Sequence, residues 1–291
     1  MPGAALALLL ALSAPALDEP VEIIGEATVF APGVASTPAS EVRLTLSPDG
    51  RTALWFSRNR PGGPGGYDIW MSRRTADGDW APAMPAPFNS PGRDFDPAFS
   101  ADGRHVYFCS DRPGGLGGDD IYRVAVMNDG FGPAENLGAQ VNSAVNEFAP
   151  MLSPDRRWLL FSSDRPGGQG RHDLYVARRQ GLGFAPATPL PGKVNTPADE
   201  FDATFLADSA TIVFARAPSM QADRVDLFHA APRDGRYGPG VRLGPGVNDA
   251  RTDTYGPMLD WSRPGRLTFS GQRHDAVSMD LYTVDYRLKR R

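Results

Sequence analysis

Four carboxylates recur at intervals of 53 residues, Glu41, Asp94, Glu147 and Glu200, each opening a short apolar segment, with Asp253 standing loosely at a fifth place. A ring of carboxylates can do chemistry: one acid protonates a glycosidic leaving oxygen while another activates water or attacks. On that reading Asp94, Glu147 and Glu200 are the catalytic candidates. Acid and base roles require environments that drive two pKa values apart, yet Glu41, Glu147 and Glu200 have near-identical neighbours. A structural role fits better. Arg60, Arg112 and Arg165 recur with the acids, and a bidentate arginine–carboxylate pair fixes a chain edge without any reaction.

Other chemical signals are weaker. His105, His172, His229 and His274 form no His-x-x-x-His pair, and the single Cys109 forms no Cys-x-x-Cys, so neither a metal nor a cofactor is expected. The runs Gly62-Gly63-Pro64-Gly65-Gly66 and Gly114-Gly115-Leu116-Gly117-Gly118 are followed by no helical pattern that could offer an N-terminus to phosphate. They read as chain reversals needing positive φ. No Gly-x-Ser-x-Gly elbow is present.

The elements that position these residues form a repeat. Asp68-Ile69-Trp70, Asp120-Ile121-Tyr122, Asp173-Leu174-Tyr175, Asp226-Leu227-Phe228 and Asp280-Leu281-Tyr282 follow one another at 52 to 54 residues, a period that marks stacked or radial arrays. Each unit adds a turn such as Ser47-Pro48-Asp49-Gly50. A β-rich run ending in Phe56, Phe108, Phe161, Phe214 or Phe269 comes next, and units one to four close on an aromatic-x-Pro segment. Four short β segments per unit with no helical period predict an all-β, five-bladed β-propeller of four-stranded antiparallel blades. The units span about 41–93, 94–146, 147–199, 200–253 and 254–291. The last lacks its fourth strand, and Val21 to Phe30, within the segment 21–34, is expected to supply it and close the ring. A six-bladed ring is the alternative.

Phe161-Ser162-Ser163-Asp164-Arg165-Pro166-Gly167-Gly168, then Asp173-Leu174-Tyr175 and Val194-Asn195-Thr196 with Glu200, resemble the PD40 or WD40-like repeat. That repeat is shared by the propeller domain of TolB and by many bacterial envelope proteins, and the resemblance covers about 41–291. It implies a propeller in the envelope that serves as a binding platform, and it names no ligand. TolB carries an α/β domain ahead of its propeller for which this chain has no room, so a specifically TolB-like role is not expected. Length argues in the same way against a propeller-gated peptidase.

Composition agrees. Gly and Pro make up 60 of 291 residues (32 and 28), and 41% hydrophobic residues support a sizeable core. A net charge of −4 with no basic run beyond Lys289-Arg290-Arg291 argues against a nucleic-acid partner. The apolar run Ala4 to Leu12 followed by Ala14-Pro15-Ala16 reads as a signal peptide over 1–16, leaving a single domain over 17–291 without a transmembrane segment. Cys109 can form no internal disulfide and reads as a small buried hydrophobe.

Blade topology places the Arg-Pro-Gly-Gly loops and the inter-blade connections on one face, at the mouth of the central channel. Residues present in every copy belong to the repeat: Asp68, Asp120, Asp173, Asp226 and Asp280, with Arg60, Arg112 and Arg165. Units four and five depart from the pattern with Arg216, Gln221 and Arg224, and with Gln272, Arg273 and His274. These six are the candidate ligand contacts. The expected function is a non-catalytic, exported binding platform, periplasmic or secreted. It is expected to act as a monomer and to engage an envelope protein, peptide or glycan. The alternative is a secreted carbohydrate-active enzyme using the channel-mouth carboxylates.

Overall fold

A computed structural model describes residues 20–221, 223–273 and 276–289. The expected signal segment 1–16 and His274 lie outside them. The described residues contain no helix, so none could cross a membrane as a long apolar helix.

Five antiparallel sheets form the blades of a β-propeller. Blade one runs outward through Ser40–Leu46, Thr52–Arg58, Tyr67–Arg73 and Met84–Pro85. Blade two uses Asp94–Phe99, His105–Ser110, Asp120–Met127 and Glu135–Asn136. Blade three uses Glu147–Leu152, Trp158–Ser163, Asp173–Gln180 and Thr188–Pro189. Blade four uses Asp199–Phe205, Ile212–Ala217, Asp226–Ala230 and Val241–Arg242. Blade five uses Thr254–Leu259, Arg266–Gly271 and Asp280–Leu288, and its outer strand is Val21–Val29 from the other end of the chain. Val21 lies opposite Leu288 and Val29 opposite Tyr282. The ring therefore closes within one sheet and leaves no open end between the first and last blades.

The repeat motifs have specific mechanical roles. The asparagine of each inter-blade connection caps the third strand of the blade it leaves: Asn142 accepts from the Ile121 amide and donates to its carbonyl, and Asn89, Asn195 and Asn248 do the same for Ile69, Leu174 and Leu227. At the closure Ser36 substitutes, exchanging bonds with Leu281. In the Gly-rich loop, Gly167 has φ 95°, conformational space that L side chains avoid. A Cβ on Gly168 would collide with Asp173 Oδ2, and one on Gly170 with the Ala198 carbonyl of the next connection. The loop must fold flat between its own aspartate and the following blade.

One motif falls differently from its sequence alignment. In blades two to five the buried phenylalanine faces the third-strand aromatic, Phe161 opposite Tyr175 for example. In blade one that pairing belongs to Trp55 and Trp70, and Phe56 is shifted by one to face Ile69. An additional residue follows Ser57 there, and Asn59 accommodates it at φ 54°.

Candidate functional site

The repeat carboxylates are consumed by the fold. Glu147 accepts from the Ser143 amide (2.7 Å) and hydroxyl (2.6 Å), from Ser163 Oγ (2.9 Å) and from Arg165 Nη2 (3.0 Å). Asp94 accepts from Ser90 and, at 2.6 Å, from Arg112 Nη2. Glu200 accepts from the Thr196 amide (2.7 Å) and hydroxyl (2.5 Å) and from Arg216 Nε (2.6 Å). All three are fully buried and none lines the cavity at the channel mouth. Burial raises the Glu200 carboxyl against the opposing pull of Thr196 and Arg216. Glu41 is held more loosely, with Arg60 3.7 Å away, and burial pushes it up to about 7. Thr254, rather than Asp253, occupies the corresponding register in blade five, opposite Gly271 as Glu147 is opposite Ser163. Asp253 instead accepts the Val225 amide.

The arginine partner is present in all five blades. Arg60, Arg112, Arg165, Arg216 and Arg273 each lie over two aromatic rings, Phe161 and Tyr175 in the case of Arg165. Each also donates to a connection carbonyl, Val34, Phe88, Val141, Val194 or Val247. Arg216 reaches this place from two residues earlier in its strand, since it faces Glu200 directly in the register. Of the other candidate contacts, Arg224 donates to Asp226 and to the Ala250 carbonyl, and Gln272 donates to the Ala276 carbonyl. Gln221 lines the axial cavity and accepts from Arg171. The repeat aspartates Asp68, Asp120 and Asp173 accept loop amides from Gly65, Leu116 and Gln169. Asp226 is instead gripped by Arg242 at 2.7 and 2.8 Å, and burial raises the Asp280 carboxyl.

The groups that face the channel lie two residues beyond each repeat acid. Every innermost strand carries a bulge there, and Arg43, Asp96, Ala149, Asp202 and Gly256 all adopt positive φ, between 48° and 62°. The bulge breaks the strand's alternation and turns these residues toward the axis. Where the preceding blade offers a hydroxyl it receives the bulge amide: Ser162 for Asp202, Ser270 for Arg43. Blade four has Ala215 at that place, and the Gly256 amide donates to the Asp202 carboxylate instead.

A cavity of about 590 Å³ opens above them. Its wall includes Phe95, Phe148, Phe201 and Tyr255, each one residue beyond a repeat-acid position, and its rim includes Asp119, Asp164, Arg93 and His172. Arg43, with no exposed surface, crosses from blade one to donate to the Pro150 carbonyl of blade three, and its Nη1 lies 4.0 Å from Asp202. Its Nε and Nη1 have no hydrogen-bond partner. Burial, reinforced by the charge of Asp202 and opposed by Arg43, pushes the Asp96 carboxyl up to about 8. Burial also raises Asp202, against Arg43 and the Gly256 amide. Asp119 is pushed up to about 6 by burial, with Arg93 opposing. His172 Nδ1 is 3.2 Å from Asp199 Oδ1 without a hydrogen bond to it, and that oxygen accepts the His172 amide. Among the described residues no cluster of His, Cys, Asp and Glu could hold a metal.

Arg43, Asp96 and Asp202 are not among the candidates read from the sequence. The signal was available: two beyond Glu41, Asp94, Glu147, Glu200 and Thr254 the chain reads Arg, Asp, Ala, Asp, Gly across five otherwise similar segments.

No protein-family model and no curated protein matches this chain. Solved structures do. An endo-arabinase from Bacteroides thetaiotaomicron superposes with a TM-score of 0.61 at 13% identity, over 90% of this chain and 98% of that one. A TolB-assigned protein from Agrobacterium tumefaciens superposes with a TM-score of 0.53 at 16% identity, over 86% of this chain and 78% of that one. At such identities the likeness is one of fold, and the chain is a five-bladed propeller similar in architecture to both.

Proposed function

We propose that this chain is an exported, non-catalytic binding propeller of the cell envelope whose channel mouth receives part of an envelope protein, peptide or glycan. One observation carries the reading: the repeat carboxylates are buried and saturated, while the open, aromatic-walled cavity lies on the axis. A concave site with an apolar wall and a few convergent polar groups is the usual form of a ligand pocket. Export is read from the apolar leader and Ala14-Pro15-Ala16. The TolB-like architecture supports placement in the envelope, and Gln221 is the part of the blade-four loop that would reach the ligand.

A second reading, a carbohydrate-active enzyme, is favoured by the Asp96–Asp202 pair, two carboxyls that line the axial cavity and that burial raises, with Arg43 opposing. Capture of partners from a bacterial envelope extract, compared between wild type and Asp202→Asn, tests the binding reading, which predicts a mouth-dependent partner. Release of reducing ends from plant and bacterial polysaccharides, lost in Asp96→Asn and retained in Glu147→Gln, would replace it with the enzymatic one.

A further inference from the structure

We propose that the end of blade three on the face opposite the channel mouth is a docking point for a bilayer surface carrying anionic phospholipid headgroups. Leu182 enters the lipid, and Arg157, Arg178 and Arg179 meet the headgroups. The inference is independent of what the channel mouth receives.

Antiparallel blades bring the turn after each first strand and the hairpin after each third strand together on that face. The hairpin tips of three blades are alike: Ala76-Asp77-Gly78, Asn128-Asp129 and Asp234-Gly235 each carry an aspartate. Blade three instead turns on Gly181-Leu182, between the paired Gln180 and Gly183. Leu182 is 82% exposed. A Cβ added to Gly181 or Gly183 would meet nothing within 4 Å, so the tip stands clear of the molecule. Arg123 of blade two donates to the Leu182 carbonyl at 2.8 Å and braces the tip in that projection. A single exposed leucine is ordinary by itself. One that projects where its repeat counterparts carry aspartate calls for a partner that accepts an apolar side chain.

Charge departs from the repeat at the same place. The first turn and the hairpin of blade three hold Arg156, Arg157, Arg178 and Arg179 against Asp155, four positive charges to one negative. The same segments of blades one and four are balanced and those of blade two are acidic, in a chain whose net charge is −4. Arg156 is tied to Asp102 of blade two at 2.6 Å. Arg178 has no ion pair among the described residues, and Arg179 donates to the Gly181 carbonyl. Trp158 lies directly opposite Arg178 and is 37% exposed, and an indole beside cationic side chains suits the membrane–water interface.

Shape selects a bilayer over an acidic protein. A stable protein partner needs about 800 Å² of matched surface on each side, which a projecting two-residue tip does not offer. A bilayer requires no matched shape. The apolar tip inserts, and the arginines keep their charge at headgroup level with their stems along the acyl boundary. The guanidinium fork also fits phosphate oxygens.

The test is co-sedimentation of the exported chain, freed of its apolar leader 1–16, with vesicles of phosphatidylcholine alone and of phosphatidylcholine mixed equally with phosphatidylglycerol. Wild type is expected to bind the mixed vesicles and not the neutral ones, and to be released by high salt. The double variant Arg178→Gln, Arg179→Gln should weaken binding roughly tenfold or more, given the attraction of each arginine to an anionic surface. Leu182→Asp, which restores the residue type of the other tips, should weaken it as much. Neither change touches the core, and both variants should melt with wild type. Trp158→Phe should remove the blue shift in tryptophan emission that wild type shows on the mixed vesicles. Equal binding to both vesicles, or binding to neither, would overturn the proposal. Full binding by Leu182→Asp alongside a loss in the arginine variant would also overturn it, since a contact made by charge alone points to an acidic protein surface.

Discussion

Arg216 separates a ligand contact from a structural clamp. Its guanidinium donates to Glu200 at 2.6 Å and to the Val194 and Pro239 carbonyls at 2.8 Å each, and lies over Phe214 and Phe228 at 5.2 and 4.8 Å. Arg216→Ala leaves the fully buried Glu200 carboxylate with Thr196 alone. The lost charged hydrogen bond costs about 1.5–3 kcal/mol, and the lost cation–aromatic stacking about 0.5–1 kcal/mol. The Pro239 carbonyl lies at the surface and can turn to water. The total is about 2–4 kcal/mol, or roughly 4–16 °C in Tm for a chain of this size. Urea unfolding at pH 7 measures it, with Arg165→Ala as a comparison expected to cost about the same. Arg216→Lys should recover only part, since an ammonium cannot reproduce the fork. The penalty should shrink as pH falls: burial already raises Glu200, and a carboxyl whose folded pKa is raised contributes stability at low pH that is lost as pH climbs through that pKa. A loss below about 0.5 kcal/mol, typical of exposed loop positions, would refute the clamp and return Arg216 to the candidate ligand contacts.

Deleting residues 21–34 removes the outer strand of blade five, including the pairing of Val21 with Leu288 and Val29 with Tyr282. Thermal melts should then show a sharp loss of stability, and a melt unchanged by the deletion would contradict closure through the first strand. Glu41 is pushed up to about 7 by burial, so its contribution to stability is complete at acid pH and is lost as pH rises through about 7. Glu41→Gln should therefore gain on wild type in urea midpoint between pH 5 and pH 8, and an unchanged difference between the two proteins across that range would show that Glu41 does not titrate there.

The architecture was legible because it is repetitive. Turn residues, β-rich runs and the Asp-aliphatic-aromatic strands recur at one period, and strand pairing within a blade is local in sequence. Even the closure could be read, since blade five lacks a fourth strand and residues 21–30 can supply it. The candidate contacts were harder. Arg216 and Arg273 stand in atypical segments, but their side chains reach the same aromatic pair and the same carbonyl position as Arg165. A two-residue displacement along a strand is invisible when segments are compared by alignment, because a long side chain can recover the distance.

The chain by itself determined the fold class, the number of blades, the edge acids and the glycines of the loops, because each follows from backbone geometry repeated five times. Tertiary structure alone decided which charges meet. The bulges that turn Arg43, Asp96 and Asp202 toward the axis are a property of every inner strand. Their chemistry, however, arises only when blades one, two and four converge, 53 and 106 residues apart in sequence. The repeat marks the three as equivalent positions with unlike residues, but does not show that they meet; closing the ring buries them together, and that burial raises Asp96 and leaves Arg43 with unsatisfied donors.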